Sequence, residues 1–124
     1  GFLVYVVSGG PHFLNAYAAR RYFDVPPERV LGVRTRVAGG VLTGEVIPPV
    51  PFREGKMRAM ERLIGKEILF AAGNTGSDVP MLEQAQLLPI AVHSFGPETP
   101  GFHHKAEQEL LKEAGRRGWL IQGF

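Results

Sequence analysis

Cysteine is absent from the 124 residues. Disulfide staples, thiolate nucleophiles and Cys-based zinc sites are therefore all excluded. Aspartate is scarce as well, with Asp24 and Asp78 the only two. No apolar run approaches the roughly 18 residues needed to cross a bilayer. Residues 2–7 (FLVYVV) are apolar but short, and no basic stretch precedes them, which argues against a signal peptide. Neither sign of charge dominates: 14 Lys plus Arg against 12 Asp plus Glu leave a formal charge of +2. The basic residues form no tract, so nothing marks a nucleic-acid footprint. Repeats and low-complexity stretches are also lacking, and the missing targeting segment points to the cytoplasm.

What is present describes a folded chain. It is 44% hydrophobic and 21% charged, enough for one hydrophobic core and a single domain over residues 1–124. Residues 2–7 are rich in β-branched and aromatic side chains and predict a strand buried on both faces, ending at Ser8-Gly9-Gly10. Pro11 opens a helix to about residue 23, with Phe13, Leu14, Tyr17, Ala18 and Tyr22 on its apolar face. A short strand at 30–33 follows. Residues 34–46 (RTRVAGGVLTGEV) then predict a small β-hairpin turning at Gly39-Gly40. Beyond the PPVP connector come a helix at 55–64, a buried strand at 68–72, a helix at 78–86 and a strand at 87–92. A helix at 103–114 closed by Gly115 and a short strand at 119–121 complete the pattern. Strands alternating with helices predict an α/β fold with a mainly parallel sheet and flanking helices.

Ligands in such sheets bind beyond the carboxyl ends of the strands. At the first strand's end, Ser8, Gly9 and Gly10 lead into a helix start and make a candidate phosphate cradle, the plainer alternative being a glycine turn. At the third buried strand's end, Gly73-Asn74-Thr75-Gly76-Ser77-Asp78 crowds oxygen-bearing side chains into a tight loop, as a hard cation requires. The alternative there is helix capping by Ser77 or Asp78. Lys56 sits in the first turn of its helix, where a cation opposes the helix dipole, so an anionic partner would justify it. An ordinary surface lysine is the competing reading. His12, His93, His103 and His104 offer no chelating arrangement, since adjacent histidines on a helix point about 100° apart. His12 stays open as a substrate contact.

These pieces stand in a telling order. An apolar strand ending in SGG, the hairpin GGVLTGEV, then EGK, AAGNTGSDVPML and a closing WLIQGF resemble the haloacid dehalogenase superfamily, nearest its phosphoserine-phosphatase branch. The resemblance implies an incomplete Rossmann-like core and a Mg²⁺-dependent phosphatase for small phosphate monoesters. It implies that Ser8 is the hydroxyl that hydrogen-bonds the phosphoryl group, with Gly9 and Gly10 letting backbone N–H groups approach. It makes Lys56 the lysine that offsets charge on the transferring phosphoryl. Asn74 and Asp78 fall on the two acidic positions that hold Mg²⁺, with Ser77 beside them in the substrate-binding set.

Two departures qualify that expectation. Asn74 is a neutral ligand where the family has a carboxylate. More seriously, the family's nucleophile is the first Asp of an Asp-x-Asp motif ending a central strand, followed by a helical cap, and neither aspartate here can be it. The strand that should lie between those carrying Ser8 and Gly73 has no counterpart. The expectation is that the chain is the C-terminal part of a longer protein, or completes its sheet as a homodimer or with a separate N-terminal fragment. Gly1 is compatible with a natural start and with a cut end. The competing function is a catalytically inactive phosphate- or protein-binding module. A flavodoxin-like nucleotide module lacks support, because no Gly-x-Gly-x-x-Gly follows a strand.

Overall fold

A computed structural model of the chain describes residues 1–65, 67–94 and 101–123. The fold is α/β, with parallel strand pairing and flanking helices, and the chain divides into two compact units. No helix among the described residues is long and apolar enough to cross a membrane.

The first unit, Gly1–Gly65, is a β-α-β crossover extended by a hairpin. Strand β1 (Val6–Pro11) pairs in parallel with β2 (Val30–Ala38), and β2 pairs antiparallel with β3 (Val41–Ile47). The expected short strand and the first arm of the hairpin are thus one continuous strand. The turn falls at Gly39 (φ 57°) and Gly40 (φ 77°), a left-handed pair that residues with a Cβ rarely adopt. Across the hairpin, Arg36 forks onto Glu45, with Nε to Oε2 at 2.7 Å and Nη2 to Oε1 at 2.9 Å.

Helix α1 (His12–Phe23) covers this sheet with small side chains. Ala16 and Ala19 join Val25 and Val30 in the core, against Val6. The expected apolar face is corrected here: Phe13, Leu14, Tyr17 and Tyr22 are all more than half exposed. The alanines let the helix lie close to the strands, and only the face turned to the sheet is covered. Residues 2–5 likewise form no strand, and Phe2, Leu3 and Val4 are exposed instead of buried on both faces. A strand needs a neighbour to hold it, and β1 pairs only with β2 among the described residues. Helix α2 (Glu54–Leu63) packs against β1 and buries Ala59 and Met60.

The second unit, residues 66–124, holds three parallel strands in sequence order: β4 (Phe70–Gly73), β5 (Leu88–His93) and β6 (Leu120–Gly123). Between β4 and β5 a 3-10 turn (Gly76–Asp78) runs into the short helix α3 (Val79–Leu82). This helix ends well before residue 86. The N–H groups of Gln86 and Leu87 bond instead to the carbonyls of Ile68 and Leu69, drawing the chain back to the sheet. Helix α4 (Phe102–Arg117) connects β5 to β6 and stops at Gly118 in the left-handed conformation, φ 68°. Gly115, the expected stop, lies inside the helix, where glycine is tolerated at a cost. The stop belongs to the residue that must take positive φ. Leu82 and Leu110 are fully buried between these elements. As with β1, the outer edge of β4 bears no strand among the described residues.

Core position therefore separates two chemically identical truncations. Leu110→Ala is expected to lower stability by about 2–5 kcal/mol. Leu120→Ala, at a side chain 47% exposed, is expected to cost less than about 1 kcal/mol by area scaling. Urea unfolding of both variants measures the contrast.

Candidate functional site

The carboxyl end of β1 departs from regular pairing. Val7 lies opposite Leu31 and Pro11 opposite Val33, so Ser8, Gly9 and Gly10 together span what Gly32 alone spans on β2. Three residues against one push the chain out of the ladder. Ser8 Oγ accepts the Gly10 N–H at 3.1 Å and holds the bulge shut. That leaves the serine's own O–H available to donate. Gly10 is closely packed: a Cβ there would meet the Asn15 amide at 3.3 Å and Ser8 Oγ at 3.4 Å, so those side chains would have to give by a few tenths of an ångström. Gly9 is less constrained, its added Cβ touching only the Pro51 carbonyl and the Phe52 ring at 3.7 and 3.8 Å.

Two polar groups missed or lightly weighed in the sequence stand beside this bulge. Asn15 Nδ2 and His12 Nδ1 are buried atoms without a hydrogen-bond partner. The His12 pKa is lowered, first by burial and then by the positive charge of Arg34, so its ring is held neutral. Asn15 carries no sequence signal, because only the close approach of α1 to the bulge gives it a role.

Lys56 is buried, with 5% of its surface exposed. It is the third residue of α2, and the segment leading into that helix passes Gly9 through Pro51 and Phe52. A surface-lysine reading is ruled out. The helix start is tightly built: a Cβ on Gly55 would overlap the Val50 carbonyl, and Arg53 before it holds φ 48°. Positive φ at a residue with a Cβ is a strained conformation of the kind that collects around functional sites.

In the second unit, Asp78 is equally buried at 5%. Its Oδ2 accepts the N–H groups of Asn74 and Thr75, each at 3.0 Å, and the Thr75 hydroxyl at 3.2 Å. Thr75 and Asp78 form a capping box on the 3-10 turn, and Asp78 stands at the N-cap position of α3 without a side-chain cap bond there. Ser77 Oγ lies 2.8 Å from Thr75 Oγ1. Gly73 is sterically required, since an added Cβ would overlap Asp78 from its Cβ outward, whereas at Gly76 an added Cβ would meet the Glu109 carboxylate, the mobile end of an exposed side chain. Glu109 of α4 thus borders the same loop, which its place in a helical pattern did not reveal.

The neighbouring strand end carries a further polar group. β5 runs parallel to β4 with Ala91 opposite Gly73, so His93 leaves the sheet at the rim that bears Asn74. His93 Nδ1 lies 3.0 Å from Oε2 of the fully buried Glu107, whose Oε1 accepts the Ser94 N–H at 2.6 Å. This carboxylate pins the end of β5 to α4. Among the described residues, no three His, Asp or Glu side chains gather at cation-holding separation. The oxygen donors at the β4 end are one carboxylate, Asp78, one amide, Asn74, and nearby hydroxyls. Mg²⁺ keeps several waters and takes one or two carboxylates from a protein, so this set suits it in kind.

The first unit therefore brings Ser8, Gly9 and Gly10 to the segment that leads into Lys56, and the second gathers Asn74, Ser77 and Asp78 in one loop. Asp24 stands apart from both: it caps the far end of α1, exposed and 2.7 Å from Arg20. The family model for haloacid dehalogenase-like hydrolases matches residues 1–83. The chain belongs to that family. Two solved structures share the fold. A protein with unknown function from Bordetella pertussis Tohama I is 26% identical with a TM-score of 0.72, over 97% of this chain and 50% of its own. A conserved functionally unknown protein from Anaerococcus prevotii DSM 20548 is 21% identical with a TM-score of 0.71, over 97% of this chain and 32% of its own. The chain thus spans half or less of the length of these two. No curated protein matches it.

The β4 loop makes a sharp prediction. Gly73→Ala adds one methyl group into the Asp78 side chain, and overpacking of this kind costs about 1–3 kcal/mol. Thr75→Ala removes the cap for about 1 kcal/mol. Chemical denaturation should rank Gly73→Ala as the more damaging.

Proposed function

We propose that this chain forms the phosphate- and cation-binding part of a Mg²⁺-dependent phosphomonoesterase. The observation that carries the reading is the burial of Lys56 in the unit that also holds the Ser-Gly-Gly bulge. A buried ammonium faces little competition from water, so a phosphoryl oxygen that reaches it gains a strong charge-assisted hydrogen bond, and hydrolase chemistry in this family gives such a group a reason to be there.

The roles follow from the chemistry of each group. The Ser8 O–H donates to a phosphoryl oxygen, and the backbone at Gly9 allows a close approach, while the Gly10 N–H is already given to Ser8 Oγ. Lys56 offsets negative charge as the phosphoryl transfers. Asn74 and Asp78 would hold Mg²⁺ through oxygen, and Ser77 would support substrate. When bound, the ion would offset phosphoryl charge and orient the group for in-line attack. A small phosphorylated substrate, phosphoserine-like, fits this reading.

The attacking carboxylate must come from outside these residues. Asp24 is at the wrong end of α1, and Asp78 Oδ2 is engaged by its own loop. Support for a completing strand comes from β1 and β4, each with one edge free of strands among the described residues. Exposed ladder groups of this sort invite pairing. A second copy could fill an edge as a homodimer but brings no Asp-x-Asp motif. A separate or preceding segment with Asp-x-Asp would fill it and supply the nucleophile.

The second reading is an inactive module that binds phosphate without turnover. The neutral Asn74 and the tightly bonded Asp78 favour it. Inorganic phosphate with Mg²⁺ is expected to raise the thermal unfolding midpoint by several degrees, since phosphate at about 100 times its Kd contributes about 2.7 kcal/mol. Ser8→Ala and Lys56→Ala should each remove the shift. Hydrolysis of 4-nitrophenyl phosphate should appear only when an Asp-x-Asp strand is supplied. Protection without turnover in that complemented form selects the inactive module, and absence of protection overturns both readings.

A further inference from the structure

The first unit is electrostatically distinct from the chain as a whole. Nine of the Lys and Arg residues and five of the Asp and Glu residues fall in it, a formal charge of +4. Three of its arginines border two adjoining cavities. One, of about 600 Å³, lies among Pro48, Pro49, Val50, Phe52 and the start of α2, with Arg58 and Arg62 in its wall. The other, of about 330 Å³, lies between β2 and α2 and includes Arg34. Pro48, Pro49 and Arg62 belong to both, so Arg62 stands at the junction with Arg58 on one side and Arg34 on the other.

These arginines differ from four others on the surface, and unlike Arg21 and Arg29, which also make no ion pair among the described residues, they line a cavity. Arg20 pairs with Asp24, Arg36 with Glu45, Arg116 with Glu113, and Arg117 with Glu83 and Glu113, all within 3.0 Å. Among the described residues, Arg34, Arg58 and Arg62 make no ion pair. Glu54, the one carboxylate in the larger cavity's wall, stands one helical turn before Arg58 and does not pair with it. Arg58 and Arg62 are four residues apart on α2, a spacing that sets like charges side by side and destabilises the helix. Arg34 sends its field as far as His12. The prolines contribute apolar surface and no N–H donors, so polar recognition here falls to the guanidinium groups.

We propose that the joined cavities bind an organic oxyanion. Its phosphate- or carboxylate-type head sits on Arg62, flanked by Arg58 and Arg34, and its apolar body lies against Pro48, Pro49, Val50 and Phe52. Guanidinium forks match planar and tetrahedral oxyanions, and an apolar wall with few convergent polar groups is the usual form of a small-molecule site. Ser8 and Lys56 line neither cavity, so this site stands independently of the phosphatase reading.

Phenylphosphonate is a suitable probe because its C–P bond resists hydrolysis. Followed by the side-chain Nε–Hε NMR signals, it should shift Arg34, Arg58 and Arg62 along one saturable curve and leave Arg20 and Arg36 in place. Benzyl alcohol, the neutral counterpart, should move none of them. Arg62→Gln, a change at an exposed side chain, should weaken binding roughly tenfold or more, as loss of a charge-assisted hydrogen bond does. The Arg58→Gln/Arg62→Gln double variant should abolish the saturable Arg34 shift, and Arg20→Gln should leave it intact. A non-saturating shift shared by all arginines, or an Arg34 curve unchanged in the double variant, overturns the proposal.

Discussion

Besides Glu107, two charges among the described residues are withheld from water, the Lys56 ammonium and the Asp78 carboxylate, and the loops of the candidate site are built around them. Each is 95% covered, and a buried ion is tolerable only where hydrogen bonds replace its hydration. Asp78 shows how the demand is met. Its Oδ2 gathers two backbone N–H groups and a hydroxyl from the preceding turn, and glycine at position 73 leaves the room to do so. The loop after β4 is shaped around that oxygen. Lys56 is placed with comparable constraint, behind a glycine that admits the Val50 carbonyl and a strained Arg53. Strain and obligatory glycines next to buried charge are what a binding site requires and a simple connector does not.

The alternation of strand and helix was legible because it rests on local patterns: apolar runs, the Gly39-Gly40 turn and the proline at the start of α1. Ser8, Lys56 and Asp78 were legible for a related reason, since each sits where a strand or a helix begins or ends. What periodicity could not supply was the identity of the neighbours. A helix with both alanines and aromatic residues on its apolar side can bury either set. In α1 the sheet took Ala16 and Ala19, leaving Phe13 and Tyr17 outside. Residues 2–5 have strand-forming side chains yet pair with no strand among the described residues. The stop of α4 at Gly118 depended on where the chain had to turn, which composition does not encode.

The site residues that escaped the sequence share one property. Asn15, Glu107 and Glu109 lie within helices, and Thr75 within a turn, so each reads locally as an ordinary polar position. Their roles arise only when α1 crosses the β1 bulge or α4 crosses the β4 and β5 ends. Membership of the haloacid dehalogenase-like hydrolases gives the class of fold. Chemistry on a shared fold is set by individual side chains, so each role here rests on the groups themselves.

The most direct measurement is a crystal structure of the chain grown with phosphate and Mg²⁺. Phosphate oxygens are expected within about 2.7–3.2 Å of Ser8 Oγ and Lys56 Nζ, the range of a hydrogen bond, with the β1 bulge unchanged. Phosphate bound elsewhere, with Ser8 untouched and the Lys56 side chain turned out into solvent, would contradict the central claim.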